Sequence, residues 1–143
     1  MTIWEILNSP FFLTIVSIFL GGVFAATISA AWQRKSQRHS LRIALTKEIL
    51  DLYHDYIRYI KNDDVSEAVE TFDILHSGFI SKAKMAKVLF NSEIEGKLKK
   101  IANKLATVHD LKIHGRVEKA KGKYRDLFED ADEVIERLFH FLK

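Results

Sequence analysis

The chain has no cysteine, one proline and six glycines in 143 residues. Without cysteine there is no disulfide, no thiolate nucleophile and no thiolate metal site, and nothing calls for an oxidising compartment. With Pro10 as the only proline, the turn punctuation that a many-stranded fold needs is largely missing. Also missing are a glycine-rich phosphate loop, a GxSxG nucleophile elbow and an HExxH pair. The six histidines are scattered, and His109 and His114 stand about 140° apart round a helix, so they share no face. No enzyme, no metal site and no cofactor are expected from such a set.

What is present is unevenly spread. Hydrophobic residues make up 48% and charged residues 29%, which excludes a wholly disordered chain. Phe11 to Ala31 runs 21 residues without a charged side chain, and at ~1.5 Å per residue a helix of this length covers the ~30 Å hydrocarbon layer of a bilayer. Trp4 and Trp32 flank it as interfacial rings do. Pro10 suits a first helical turn after Asn8 or Ser9 as cap. A cleaved signal peptide is the other reading of such a run, but Glu5 is the only charge before it, where a signal carries basic residues. Arg34, Lys35, Arg38 and Arg42 follow the run, so the positive-inside rule puts Met1 outside and the rest in the cytoplasm. Residues 1–32 are thus expected to be a transmembrane anchor, single pass. Gly21, Ala25 and Ser29, with Gly22, Ala26 and Ala30 beside them, form rows of small residues that suit close helix packing or merely reflect the usual composition of spans.

Residues 33–143 are expected to form a cytosolic bundle of about four helices, giving an all-α fold. Leu41, Leu45, Ile49, Leu52, Tyr56 and Tyr59 step by four and three, so a first helix runs to about Lys61. Asn62-Asp63-Asp64 reads as a turn, with Asp64 and Glu67 as a capping box. Val65, Ala68, Val69, Phe72 and Leu75 read as one face of a short helix that Gly78 stops, after which Ser81 caps another with Met85, Val88 and Leu89 inward. Ser92 and Glu95 read as a second capping box. Ile94, Leu98, Ile101, Leu105 and Val108 then step 4, 3, 4, 3 to a break at His114-Gly115. Tyr124, Leu127, Ala131, Val134, Leu138 and Phe141 step 3, 4, 3, 4, 3, which suits an antiparallel hairpin with the preceding helix or a seam between subunits.

Charge comes in blocks. Residues 43–81 hold three basic and eight acidic side chains, residues 82–125 hold 13 basic and four acidic, and residues 126–143 hold two basic and six acidic. Such blocks can pair across a hairpin. They can also mark a site. The segment His76-Ser77-Gly78-Phe79-Ile80-Ser81, read as a loop opening a helix, would offer free backbone N–H groups to an anion. His76 and Phe79 would stack a base there, and Lys82, Lys84 and Lys87 would meet phosphates. Lys112, His114, Arg116, Lys119, Lys121 and Lys123 make a second basic patch. Attraction to anionic lipid headgroups, or plain solvation, accounts for either patch equally well. The Tyr53, Tyr56 and Tyr59 row reads as core or dimer contact, or as a stacking surface. Glu129, Asp130, Asp132 and Glu133 read as solvated helix-face acids.

The run Ala86 to Ile94 with its following Lys/Leu helix resembles a pattern in small bacterial single-span helical proteins. The layout as a whole, in its size, topology and basic cytosolic half, resembles the membrane-anchored effectors of type III CRISPR antiviral systems. That resemblance implies a homo-oligomer, a tetramer, whose helical domain binds cyclic oligoadenylate and acts on the lipid bilayer, with no long nucleic acid as partner. The ligand would sit at His76, Ser77, Gly78, Phe79, Ser81, Lys82 and Lys84, aided by Arg116. Two further readings stand beside it: an anchored scaffold that recruits a protein partner, and a module that rests on anionic lipid.

Overall fold

The computed structural model describes residues 10–62 and 68–143. Four helices account for almost all of them: α1 (Pro10–Lys61), α2 (Ala68–Leu89), α3 (Ser92–Ile113) and α4 (Val117–His140), with no strand among the described residues. The Asp64–Glu67 capping box, Val65, Trp4 and the Asn8 or Ser9 cap lie outside the described residues. The chain divides into two compact units, Met1–Arg38 and His39–Lys143.

In the first unit, α1 is long and apolar enough to cross a membrane. From Ser17 to Arg38 every side chain is exposed. The Thr27 hydroxyl donates to the carbonyls of Val23 (3.0 Å) and Phe24 (2.9 Å), which satisfies it without any outside partner. A Cβ added at Gly21 or Gly22 would meet nothing within 4 Å, and Ala25, Ala26 and Ser29 are open on the same stretch.

The second unit is an up-down-up-down four-helix bundle. Its directions follow from which residues meet. Along α1, Arg42 bonds Leu89, Glu48 pairs with Lys82, and Tyr56 touches Phe79, so α2 runs antiparallel to α1. Lys87 faces Glu95 and Phe72 stacks on His109, so α3 runs antiparallel to α2. Glu93 meets Arg137 and Lys104 meets Asp130, so α4 reverses again, and Tyr53 closes it onto α1 through Asp132. The core is the set of stripes that these faces bury: Leu45, Ile49, Tyr56 and Ile60; Leu75, Phe79, Ala83 and Ala86; Ile94, Leu98, Ile101, Leu105 and Val108; and Leu127, Ala131, Val134 and Leu138. Each large side chain among them contributes roughly 1.5–3 kcal/mol by leaving water. The α3 and α4 stripes are those that the spacing predicts, and the two helices form an intramolecular hairpin.

The ends are built by local chemistry. The Asn91 side chain accepts from the Ile94 N–H at 2.9 Å, so the cap of α3 is Asn91, one residue before the expected Ser92. Gly115 adopts φ +68, the Gly115 N–H reaches the Lys112 carbonyl (3.0 Å) and the Arg116 N–H reaches Leu111 (2.8 Å). That pair of bonds is a Schellman ending, and only glycine takes its left-handed position without strain.

The largest departure from the sequence reading is α2. Gly78 does not stop a helix and Ser81 does not cap one; a single helix runs through both. Glycine inside a helix costs about 1 kcal/mol, but here it lets α1 come close: a Cβ at Gly78 would lie 2.8 Å from Leu52 Cδ2. With one continuous helix the inward stripe is Leu75, Phe79, Ala83, Ala86 and Phe90, which turns Val69, Met85 and Val88 outward instead of in. Leu41 also stands outside the core stripe to which its spacing assigns it.

Candidate functional site

The anion loop expected at residues 76–81 is absent, because its backbone N–H groups lie inside α2, where the helix uses them. Its side chains are dispersed. Phe79 is 1% exposed and packs edge-on against Tyr56. The His76 ring lies 5.4 Å from that of Phe72. The Ser77 hydroxyl donates to the Ile74 carbonyl at 3.1 Å, and Lys82 is ion-paired with Glu48. Gly78 is filled by Leu52. Ser81 and Lys84 are exposed, while Arg116 is at the α3–α4 turn, the far end of the bundle from Lys84. These residues do not converge on one point.

Part of the basic block is answered by the acidic one, and Arg137 of the acidic block by an acid of the basic one. Lys97 pairs with Glu133 at 2.7 Å, Lys100 with Asp130 at 2.9 Å, Lys104 with Asp130, and Arg137 with Glu93. Partial burial pushes the Asp130 carboxyl up, but the Lys104 and Lys100 ammonium groups outweigh it and hold the group below the usual carboxylate range. The hydrogen bond from Lys97 likewise holds Glu133 down. Asp132 accepts the Tyr53 hydroxyl at 3.0 Å. The acids of α4 are therefore partners rather than merely solvated groups, which corrects the expectation for Asp130, Asp132 and Glu133, and Glu129 pairs with Arg125 on its own helix.

Two basic residues turn out to be structural. Lys112 is 3% exposed, and its Nζ donates to the carbonyls of Tyr59 (2.9 Å), Ile60 (3.2 Å) and Asn62 (2.9 Å), so it caps the C-terminal end of α1. It also sits 4.7 Å from the Tyr59 ring centre. Next to it the Tyr59 hydroxyl bonds His109 Nδ1 at 2.7 Å, and the His109 ring stacks on Phe72 at 4.0 Å. Desolvation lowers the His109 pKa and Lys112 adds to that, against the opposing pull of Asp73 and Asp110. Arg42, counted by the sequence among the cations that follow the apolar run, donates from Nε to the Leu89 carbonyl at 2.6 Å and lies over the rings of Phe90 and Phe141. The tyrosine row is core: Tyr56 and Tyr59 are buried and Tyr53 half-buried.

One face left exposed is the outer face of α2. Ile74, Ser77, Ser81, Met85 and Val88 follow one another at steps of 3, 4, 4 and 3, so they form a single seam along the helix. Val88 is 72% and Ile74 63% exposed. Asp73, Lys84 and Lys87 line the edge of the seam toward α3, and Thr71, Gly78 and Leu89 line the edge toward α1. Among the described residues Asp73 and Lys84 enter no ion pair, and Lys87 reaches only Glu95 at 3.8 Å. Elsewhere, a hollow between the start of α3 and the end of α4 is lined by Glu93, Glu133, Glu136, Arg137, Phe139, His140, Phe141 and Lys143, where Arg137 is already paired with Glu93 and Glu133. No group of three or more metal-ligating side chains occurs among the described residues. No protein-family model, no curated protein and no solved structure matches the chain.

Proposed function

We propose that this protein is a single-span membrane-anchored scaffold: residues 1–32 hold it in a bacterial inner membrane, and the helical bundle docks a protein partner on the cytoplasmic side. One observation carries the reading, the apolar seam on the outer face of α2. A helix in a self-sufficient bundle needs one buried stripe, and α2 has it in Leu75, Phe79, Ala83 and Ala86. A second stripe of Ile, Met and Val at helical spacing on the opposite side adds nothing to the bundle and fits a partner. The alternative, an effector responsive to cyclic oligoadenylate, would draw on Lys84 and Lys87 at one end of the bundle, with Arg116 at the other.

The absence of cysteine makes the test direct. Single-cysteine variants S81C and V88C, with T107C as an exposed control on α3, are alkylated in native membranes. The docking reading expects the thiols of S81C and V88C to react several-fold more slowly than that of T107C, and all three to react alike after the protein is purified and diluted in detergent. Equal rates in the membrane would show that nothing covers the face.

A further inference from the structure

We infer that the occupant of the α2 face is a second copy of this chain, bound antiparallel about a two-fold axis. The inference rests on the docking reading above and names its partner. The first four residues of the seam are nearly their own reverse. Read forward they are Ile74, Ser77, Ser81 and Met85, read backward apolar, Ser, Ser, apolar again, and Val88 extends past them to face the stretch around Thr71 of the second copy. Set antiparallel with the centre between Phe79 and Ile80, Ile74 of one copy faces Met85 of the other, and the two serine pairs meet in the middle, where small side chains allow close approach. An isologous interface demands this kind of self-complementarity.

Charge selects the same register. A two-fold axis across the helix brings the same edge of each seam together. Asp73 then faces the stretch of the second copy that carries Lys84 and Lys87, and the pair is made twice. In a parallel pairing the charged edge would meet the opposite edge of the neighbour, Thr71, Gly78 and Leu89, and the three charges would find no match. Among the described residues Asp73 and Lys84 make no ion pair within the bundle, so both are available for this. One helix face from each copy buries on the order of 1,000 Å² in total, the small end of stable interfaces. Anchoring both copies in one membrane offsets that by raising their effective concentration.

Oxidative crosslinking of the full chain in membranes reads the arrangement. Position 81 lies close to the axis, so S81C alone is expected to form disulfide dimers. I74C and V88C alone are expected to form at least about tenfold less, because each lies well off the axis, whereas I74C mixed with M85C crosslinks. Equal self-crosslinking at 74, 81 and 88 would mean a parallel pair and would overturn the inference. No crosslinking at any position, while the S81C thiol stays protected from alkylation, would overturn it too, and would leave the docking reading with a different partner. Lack of both crosslinking and protection would sink the two together. A charge test follows. D73K is expected to lower the S81C dimer yield roughly three- to tenfold, as is K84D, and D73K/K84D in one chain to recover part of it, since the swap recreates the 73–84 pair twice with its signs reversed while Lys87 stays basic. A double variant no better than the singles would refute the register.

Discussion

Helices α2 and α3 both carry rows of lysines, and the bundle treats them differently. On α3, Lys97, Lys100 and Lys104 reach the carboxylates of α4, Lys99 bonds Glu95 on its own helix, and Lys112 is buried against the end of α1. On α2, Lys82 is held by Glu48, Lys84 has no ion pair among the described residues and Lys87 has a long one. In sequence the α3 row is the denser. A count of charges alone therefore does not distinguish cations that the bundle has matched from those it leaves exposed, and α2 keeps Lys84 and a row of exposed apolar side chains after its own pairing is done.

The sharpest way to break this contrast is to cut into both faces of α2. Phe79→Ala removes a side chain that is almost wholly buried against Tyr56 and is expected to cost about 3–5 kcal/mol of stability. Val88→Ala removes a side chain in water and is expected to stay within about 0.5 kcal/mol. Denaturant midpoints of the full chain in detergent measure both. A large loss in Val88→Ala would mean that the seam belongs to the core after all.

The lysines offer a second comparison. Lys112→Met keeps the apolar stem but strips the carbonyls of Tyr59, Ile60 and Asn62 of a charged donor, for an expected loss of about 1.5–3 kcal/mol. Lys84→Met is expected to leave stability within about 0.5 kcal/mol, because Lys84 is exposed on the surface of α2. Thermal unfolding of the two variants side by side decides. Equal losses would show that burial at Lys112 carries no more than a surface lysine does.

How much of this is legible in the sequence differs from element to element for physical reasons. The α3 and α4 stripes and the Gly115 ending are readable, since amphipathic spacing and a left-handed glycine are local signals. Gly78 misleads because a glycine that ends a helix and one that admits a neighbouring side chain look alike until Leu52, 26 positions away, is seen against it. That single break shifts the register of everything after it and turns Met85 and Val88 inward. Lys112 carries a signal that charge conceals. It stands four residues after Val108, continuing the buried 4, 3, 4, 3 stripe from Ile94, so its position marks it as interior although its residue type does not. The Lys82–Glu48 and Arg42–Leu89 contacts join residues 34 and 47 positions apart, and no local pattern encodes them. The α2 seam, by contrast, is written in the spacing and is hidden only when the helix is read as two.

The smallest expected effect concerns acid, and it separates the two kinds of charged contact. Asp130 and Glu133 have lowered pKa values in the folded chain, so the unfolded chain binds the proton first. Their stabilisation is present above the ordinary carboxylate range, about pH 4, and is lost as pH falls below it. His109 is a base whose pKa is also lowered, chiefly by burial against Phe72 and the Tyr59 hydroxyl, with Lys112 beside it and Asp73 and Asp110 opposing. Here too the unfolded state takes the proton first, so stability falls as pH drops below about 6.5, toward the folded value. The melting temperature is therefore expected to decline in two stages on acidification. His109→Gln should flatten the upper stage and leave the lower. Asp130→Asn should cost about 1 kcal/mol at pH 7, as partly exposed pairs do, shrink as pH falls below the ordinary carboxylate range, and leave the upper stage intact. Salt should weaken the Asp130 effect, because its lysines reach it through solvent, and should barely move the His109 stage, because desolvation is not screened by ions. A single acid transition that neither substitution alters would show that the α3–α4 charge seam contributes nothing to folding, and that its matching of opposite blocks is a matter of solubility alone.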